Sequence, residues 1–439
     1  MINPEDISEK ELEALRGDAV GDSLCSNKWI LNTLMSLCEL HKDGWTQELE
    51  DRLCILWDLS VDKEITSHLV SCNFLEITKN ILEIHDHSRL IEIILGIIGN
   101  VCCNDDKMID TIGDDKDLVT LILNRLTSDD TRILIQLLRI LQSILYRLEK
   151  NAASKWIAYL IEFEIFGDAI TFILKSSTNN ELLTIAVKLL RSICEINVEE
   201  KNFLEQLFNV DALILALLES FMQFISIEID SYSTTELTFI KHWLGVLNAT
   251  IMLDSFKFED YEDNGIVAKV MDIIYRILRP YEHSYNLFPI RQLDIGVIQE
   301  SSCILLNFHC GCKNFSPKVD HLLVTIMFSV KTGNEILQIA CAIISFSSIH
   351  VLLCTGIQRY THSDEKEVDS DEILDKLLND LNQYWIQSIG FSTDEQVVDV
   401  LRLCEPELCR YLINIVQSDA TTPEISEKVK RAVVAFEKS

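Results

Sequence analysis

The densest group of side chains that could bind a metal lies at His309-Cys310-Gly311-Cys312, with Cys303 shortly before it. Zinc is commonly held by four ligands that come as two closely spaced pairs. Here the spacing is Cys-x-Cys rather than the usual Cys-x-x-Cys, and no second pair follows. The pattern therefore favours a helix that ends at Gly311, with Cys303 in its core, and it predicts no metal site.

Two smaller groups carry similar side chains. His85 and His87 fall in a turn between two apolar helical segments, where no third metal ligand is near in the sequence, so a solvated loop is predicted. Cys102 and Cys103 are adjacent within a helical pattern, and neighbouring residues on a helix point in different directions. These cysteines are therefore not predicted to act together as a redox dithiol.

The motifs of the common enzyme classes are absent from the sequence. There is no GxxxxGK[ST], no GxGxxG after a strand, no HExxH and no GxSxG. Acidic residues are so abundant that pairs of them say nothing about acid–base catalysis. We predict a protein that is not an enzyme, with no catalytic residues, no cofactor and no metal.

The charge balance limits the classes of partner. The chain has 38 Lys and Arg residues against 69 Asp and Glu residues, a formal net charge of −31. This charge repels nucleic acid and anionic lipid and suits a basic protein segment, although it also serves solubility alone. The first residues are acidic rather than basic and apolar, no apolar run has the length of a membrane helix, and the cysteines fall mostly in apolar helical runs. An intracellular protein is expected.

The elements that would position any binding residues are helices. Apolar residues recur at spacings of three and four from residue 50 to residue 103, and residues 94–102 align with residues 137–145 and then 186–194. The offsets of 43 and 49 residues are close to the armadillo/HEAT period. A shorter apolar helix precedes each aligned segment. The predicted fold is all-α, an armadillo/HEAT-like right-handed α-solenoid of irregular helical repeats.

The predicted domain organisation is simple. Residues 1–22 form a flexible acidic N-terminal tail, and residues 23–439 form a single armadillo-like helical domain. The segment 360–372, with the sequence YTHSDEKEVDSDE, is predicted to be a disordered acidic insertion. A helix over residues 373–385 follows it.

Polar residues on the long helices are the candidates for partner binding. In stacked helical repeats the long helices line one face, and their polar positions can reach a partner. Asn100, Ser143 and Ser192 occupy equivalent positions in three successive repeats, and Asn248 and Asn307 occur near the corresponding place later. An amide there could bind the backbone of an extended peptide while nearby acids attract basic side chains. The alternative is that these side chains form hydrogen bonds within the protein.

Four segments resemble a known family. Lys28-Trp29 and the segments 57–62 (WDLSVD), 96–102 (GIIGNVC) and 176–183 (SSTNNELL) are similar to the serum amyloid A-like protein 1 family. The resemblance extends over roughly residues 25–200. It implies an armadillo-type helical fold and an intracellular, nuclear, non-enzymatic protein that promotes cell proliferation. It supplies no catalytic residues and no ligand site.

We therefore predict a protein-interaction scaffold in the nucleus, the cytoplasm or both. Its partner would be a protein, with a basic segment preferred, and neither nucleic acid nor a membrane is expected. A karyopherin-like carrier or an acidic chaperone for basic proteins shares the fold and is the alternative function.

Overall fold

The structure is a computed structural model that describes residues 18–21, 25–150, 154–198, 201–227, 229–262, 265–311, 316–346, 370–418 and 422–437. Most of the predicted tail and of the predicted insertion lies outside these residues. The chain divides into two compact units, Met1–Ala216 (unit one) and Leu217–Ser439 (unit two). The single domain over 23–439 stays a prediction, and the units are described separately.

Unit one is built from α-helices, a short 3₁₀ helix at Asn124–Thr127 and a two-stranded antiparallel pair, β1 (Asn197–Val198) with β2 (Lys201–Asn202). Its helices are α1 Asn27–Cys38, α2 Leu40–Asp43, α3 Gln47–Leu59, α4 Lys63–Ser71, α5 Phe74–Ile84, α6 Ser88–Asn104, α7 Asp106–Asp114, α8 Lys116–Leu123, α9 Thr131–Lys150, α10 Lys155–Glu162, α11 Phe166–Ser176, α12 Asn180–Cys194 and α13 Phe203–Leu207. The next helix, α14 (Val210–Phe224), contains the boundary between the units.

Unit two is also helical in the part that the structure describes, with a short 3₁₀ helix at Arg279–Glu282. Its α-helices are α15 Thr234–Ile251, α16 Phe258–Glu262, α17 Ile266–Leu278, α18 Ser284–Leu287, α19 Gln292–Gly311, α20 Pro317–Phe346, α21 Ser370–Phe391, α22 Asp394–Leu403, α23 Pro406–Ser418 and α24 Pro423–Glu437. Residues 370–372, the end of the predicted insertion, are the first turn of α21, which extends beyond the predicted 373–385 at both ends.

Each repeat of unit one contains three helices rather than the predicted two. Two short helices precede one long helix in the sets α4–α5–α6, α7–α8–α9 and α10–α11–α12. The extra helix is the first of each set, which is only eight or nine residues long and buries just three residues, as α7 does. Three buried residues are too few to distinguish a helix from the connection beside it, so the sequence pattern did not predict this helix.

Side-chain caps define where these helices begin. Asp62, Asp105 and Asp115 each accept a hydrogen bond from a backbone N–H in the first turn of the helix that follows. Asp130 and Asn179 do the same at the start of α9 and α12, by accepting from the N–H groups of residues 132 and 182. These caps lie in connections of one to three residues.

The long helices form the centre of each unit because each packs against the next. In unit one, α3 packs against α6, α6 against α9, and α9 against α12. In unit two, α15 packs against α19 and α19 against α21. Residues 90–102 of α6 are all buried, which explains why this helix is apolar all round. The all-α repeat fold and the alignment of the long helices are confirmed, while the right-handed sense of the array stays a prediction.

Buried indoles tie short helices to the core. The Trp156 side chain is 1% exposed, and its Nε1–H donates to the Ile109 carbonyl at 2.9 Å. Trp57 differs, because its half-buried indole lies directly over Gly96 of α6. Both tryptophans therefore pack between helices, but Trp57 is only half-buried.

Gly96 and Gly99 offer a matched test of this packing. A Cβ at Gly96 would overlap the Trp57 indole, whereas one at Gly99 would lie 3.6 Å from Ile140, an ordinary contact. We expect Gly96→Ala to lower the free energy of unfolding by about 1–3 kcal/mol through overpacking. Gly99→Ala is expected to leave it unchanged or to raise it by up to about 1 kcal/mol through helix propensity. The measurement is urea unfolding followed by circular dichroism, and equal midpoints for the two variants would contradict this packing.

Candidate protein-interaction surface

The amide of Asn100 links two long helices of unit one. Its Nδ2 atom donates to the Ser60 hydroxyl at 2.8 Å and to the Trp57 carbonyl at 3.2 Å, both at the C-terminal end of α3. Asn100 is only 9% exposed. The geometry therefore favours the intramolecular alternative for Asn100, which adds hydrogen bonds between α6 and the end of α3.

The next two candidate residues form similar contacts between long helices. The Ser143 hydroxyl of α9 lies 3.2 Å from the Cys103 thiol of α6, and the Ser192 hydroxyl of α12 accepts from Gln142 Nε2 of α9 at 2.6 Å. Both serines are half-buried. Polar links of this kind between neighbouring long helices are called rungs below. Their positions show that the predicted alignment of the three repeats holds in space.

Unit two brings its two candidate amides into direct contact. Asn307 of α19 donates from Nδ2 to the Asn248 Oδ1 atom of α15 at 3.0 Å, and Asn248 Nδ2 donates to Glu300 Oε2 at 3.2 Å. Both amides are half-buried. The carbonyl oxygen of Asn307 has no hydrogen-bond donor among the described residues. These amides therefore form a rung that retains hydrogen-bonding capacity toward a ligand.

A second rung of unit two continues this surface. Gln299 of α19 donates from Nε2 to the Asp380 carboxylate of α21 at 2.8 Å. The Cys303 side chain is exposed nearby rather than in the core, where it was expected. Its partial burial, together with the carboxylates of Glu300 and Asp380, raises the pKa of the Cys303 thiol. A protonated thiol is a poor nucleophile, so this surface is suited to binding rather than to covalent chemistry.

The predicted metal-binding candidates have other partners. Helix α19 ends at Gly311 as expected, and the His309 ring lies 2.8 Å from the Asp320 carboxylate and 3.4 Å from the Tyr384 hydroxyl. In the earlier turn, His87 accepts from the Leu90 N–H at 3.4 Å and so caps α6. Cys312 lies outside the described residues, among which no group of three or more His, Cys, Asp or Glu residues could hold a metal ion.

Sequence reasoning missed the buried network around Asp320. The Tyr384 hydroxyl also donates to the Asp320 carboxylate, and the Asp320 and Tyr384 side chains are at most 2% exposed. Burial and the Asp320 charge hold the pKa of Tyr384 well above its usual range. An acid before the apolar run 322–324 was the only sequence signal, because the partners lie 11 and 64 residues away.

Three-helix repeats whose long helices pack side by side define an all-α helical-repeat protein of the armadillo kind. The chain is similar to Protein SAAL1 of Homo sapiens, with 30% identity over 181 residues that cover 38% of this chain and 38% of that protein. It is 28% identical to Protein saal1 of Danio rerio over 186 residues, which cover 40% of this chain and 39% of the relative. The predicted resemblance is confirmed, over less than half the length of these relatives.

Similar solved structures include a designed armadillo repeat protein, with a TM-score of 0.42 and 14% identity, covering 61% of this chain and 98% of that chain. A second is described as "A conserved phosphorylation switch controls the interaction between cadherin and beta-catenin in vitro and in vivo". It has a TM-score of 0.48 and 11% identity, covering 93% of this chain and 78% of that chain. No family model matches the chain.

Of the helices that the structure describes, none combines the length and apolar character needed to cross a membrane.

The contribution of the Asp320 network to the stability of unit two can be measured with two variants. Asp320→Ala removes the partner of both His309 and Tyr384, so we expect a loss of about 3–5 kcal/mol in the free energy of unfolding. Tyr384→Phe removes one hydrogen bond and keeps the ring, so a loss of about 1 kcal/mol is expected. Hydrogen exchange of α20 and α21, read by mass spectrometry, measures the difference. Similar protection in the two variants would show that the carboxylate does not hold these helices together.

Proposed function

We propose that this protein is a non-enzymatic interaction scaffold that captures an extended basic segment of another protein. The proposed site is the long-helix surface of unit two, formed by Asn248, Glu300, Asn307 and Asp380. The observation that supports this proposal is the rung between Asn248 and Asn307. These amides are half-buried on adjacent long helices, next to two carboxylates.

The chemistry of an extended peptide fits this arrangement. A peptide backbone offers one N–H donor and one C=O acceptor per residue, and an asparagine side chain can match both. The Asn307 carbonyl oxygen provides an acceptor on this surface. The carboxylates of Glu300 and Asp380 provide charge-assisted acceptors for Lys or Arg side chains, which favours a basic segment over a neutral one.

The proposed partner class can be tested with immobilised peptides. We expect the protein to retain Lys- and Arg-containing members of a positional-scanning peptide library at physiological salt. The double variant Glu300→Gln with Asp380→Asn should weaken that binding roughly tenfold, since it removes both charges and keeps the side-chain shapes. Fluorescence anisotropy with a retained peptide gives the affinities.

The matched control removes two charges elsewhere. Asp86 and Glu162 form exposed ion pairs in unit one, with side chains 96% and 63% exposed, so Asp86→Asn with Glu162→Gln makes the same change in net charge. This control should bind basic peptides as the wild type does. Equal weakening in both double variants would mean that overall charge, not this surface, attracts the peptide.

The alternative function is a karyopherin-like carrier or an acidic chaperone of basic proteins. The support for it is the net charge of −31, which attracts basic proteins over a distance of about 10 Å at 0.1 M salt. Such a protein would bind many basic partners with a steep salt dependence and little dependence on Glu300 and Asp380. A nuclear location, and a role in promoting cell proliferation, rest on the family resemblance alone.

A further inference from the structure

The long-helix surface of unit one differs from that of unit two, because it carries exposed cationic side chains that are hydrogen-bond donors. On α9, Arg132, Arg139 and Tyr146 follow one another at intervals of seven residues, so they share one face of the helix. All three side chains are exposed, and Tyr146 is 54% exposed with the Lys150 ammonium 3.7 Å from its ring centroid. This face of α9 is therefore cationic and aromatic.

The neighbouring long helix continues the cationic character. Lys188 of α12 is exposed, and it follows Arg139 by the same 49 residues that relate Ser192 to Ser143. The Gln142 side chain of α9 contacts the Ser192 hydroxyl of α12 at 2.6 Å. Arg139 lies about one turn before Gln142, and Lys188 lies about one turn before Ser192, so this contact fixes their register. Arg139 and Lys188 therefore lie level with each other on adjacent helices.

The helix on the other side of α9 places an indole in the same row. Gly96 of α6 aligns with Arg139 and Lys188, and its missing side chain lets the Trp57 indole lie across α6 at this point. The Trp57 side chain is half-buried, and no acceptor for its indole N–H is found within the described residues. Trp57, Arg139 and Lys188 are called the donor row below.

Nearby carboxylates do not neutralise the two cations of the donor row. The Arg139 guanidinium donates to the Gln136 side-chain oxygen at 3.0 Å, and the described part of the chain holds no ion pair for Arg139 or Lys188. Three carboxylates on or beside these helices form ion pairs with other cations. Glu92 contacts Arg89 and Arg132, Asp130 contacts Arg132, and Glu195 contacts Arg191, whereas Glu181 lies two turns from Lys188.

We infer that the donor row binds an extended, carboxylate-rich segment of another protein. Its three groups are all donors, so they match a ligand that offers acceptors and negative charge. The inference goes beyond the proposed function, since the residues belong to unit one and the preferred charge is opposite. Adjacent long helices lie roughly 8–10 Å apart, which an extended chain spans in about three residues. In a polyproline II conformation, which repeats every three residues with a rise of about 3.1 Å per residue, carboxylates three residues apart lie on one side of the chain and would reach Arg139 and Lys188 together.

The test uses the full chain and a fluorescein-labelled twelve-residue peptide with Glu at every third position and Ser or Gly elsewhere. Versions with Gln or Lys in place of Glu are the matched peptides. We expect binding of the Glu peptide at low salt, and a loss of at least tenfold in Arg139→Gln with Lys188→Gln. Both side chains are exposed and lack ion pairs within the described residues, so the unfolding temperature should not change.

Control variants separate the donor row from net charge. Lys63 and Lys107 are exposed on short helices of unit one, so Lys63→Gln with Lys107→Gln removes the same charge from another face. This control should keep the affinity of the wild type. Trp57→Phe retains an aromatic ring but removes the N–H donor, and a severalfold loss of affinity is expected. Because the indole packs over Gly96, the unfolding temperature should fall as well, and binding is measured well below it.

Defined outcomes would overturn the inference. Equal affinities in the Arg139/Lys188 and Lys63/Lys107 variants would exclude the donor row, as would equal binding of the Glu and Gln peptides. Stronger competition by a single-stranded RNA oligonucleotide of the same charge would replace the acidic segment with nucleic acid. The Glu300/Asp380 variant should bind the Glu peptide normally, so failure of this inference and failure of the proposed function give different results.

Discussion

The packing of each long helix between its neighbours is the interaction on which both units depend. A long helix such as α6 is buried on all sides over thirteen residues because the long helices on either side and its own short helices surround it. No single repeat could bury this surface alone, so each repeat is stable only beside another. Where a long helix keeps a row of side chains exposed, as α9 does with Arg132, Arg139 and Tyr146, that row is available to a partner.

The polar groups on the long-helix surfaces of the two units differ in chemistry. In unit two, amides and carboxylates dominate, with Asn248, Asn307, Glu300 and Asp380 in contact across adjacent helices. In unit one, the donor row presents an indole, a guanidinium and an ammonium. Under the two proposals, one strongly acidic chain carries two surfaces of opposite preference. The net charge of −31 describes the molecule as a whole and says little about a surface a few side chains wide.

Much of the fold could be predicted from the sequence, and less of the site. The long helices and their offsets were visible because apolar periodicity over fifteen or more residues is a strong signal. The short first helices were missed because they bury few residues. The sequence also showed that Asn100, Ser143 and Ser192 occupy equivalent positions. It did not show where their side chains point, since a polar residue on a helix can form hydrogen bonds with a neighbouring helix or with a partner. The cations of unit one were missed because the prediction relied on net charge.

The rungs also bear on how the chain reaches its folded state. Similar apolar helices could stack in the wrong order, which is a characteristic failure of repeat proteins. The rungs, however, join several kinds of groups: amides with hydroxyls, a thiol with a hydroxyl, an amide with an amide, and amides with carboxylates. A long helix placed beside the wrong neighbour would bury polar groups without partners, which costs free energy. The chemical variety of the rungs therefore favours the native order of the repeats over other orders of stacking.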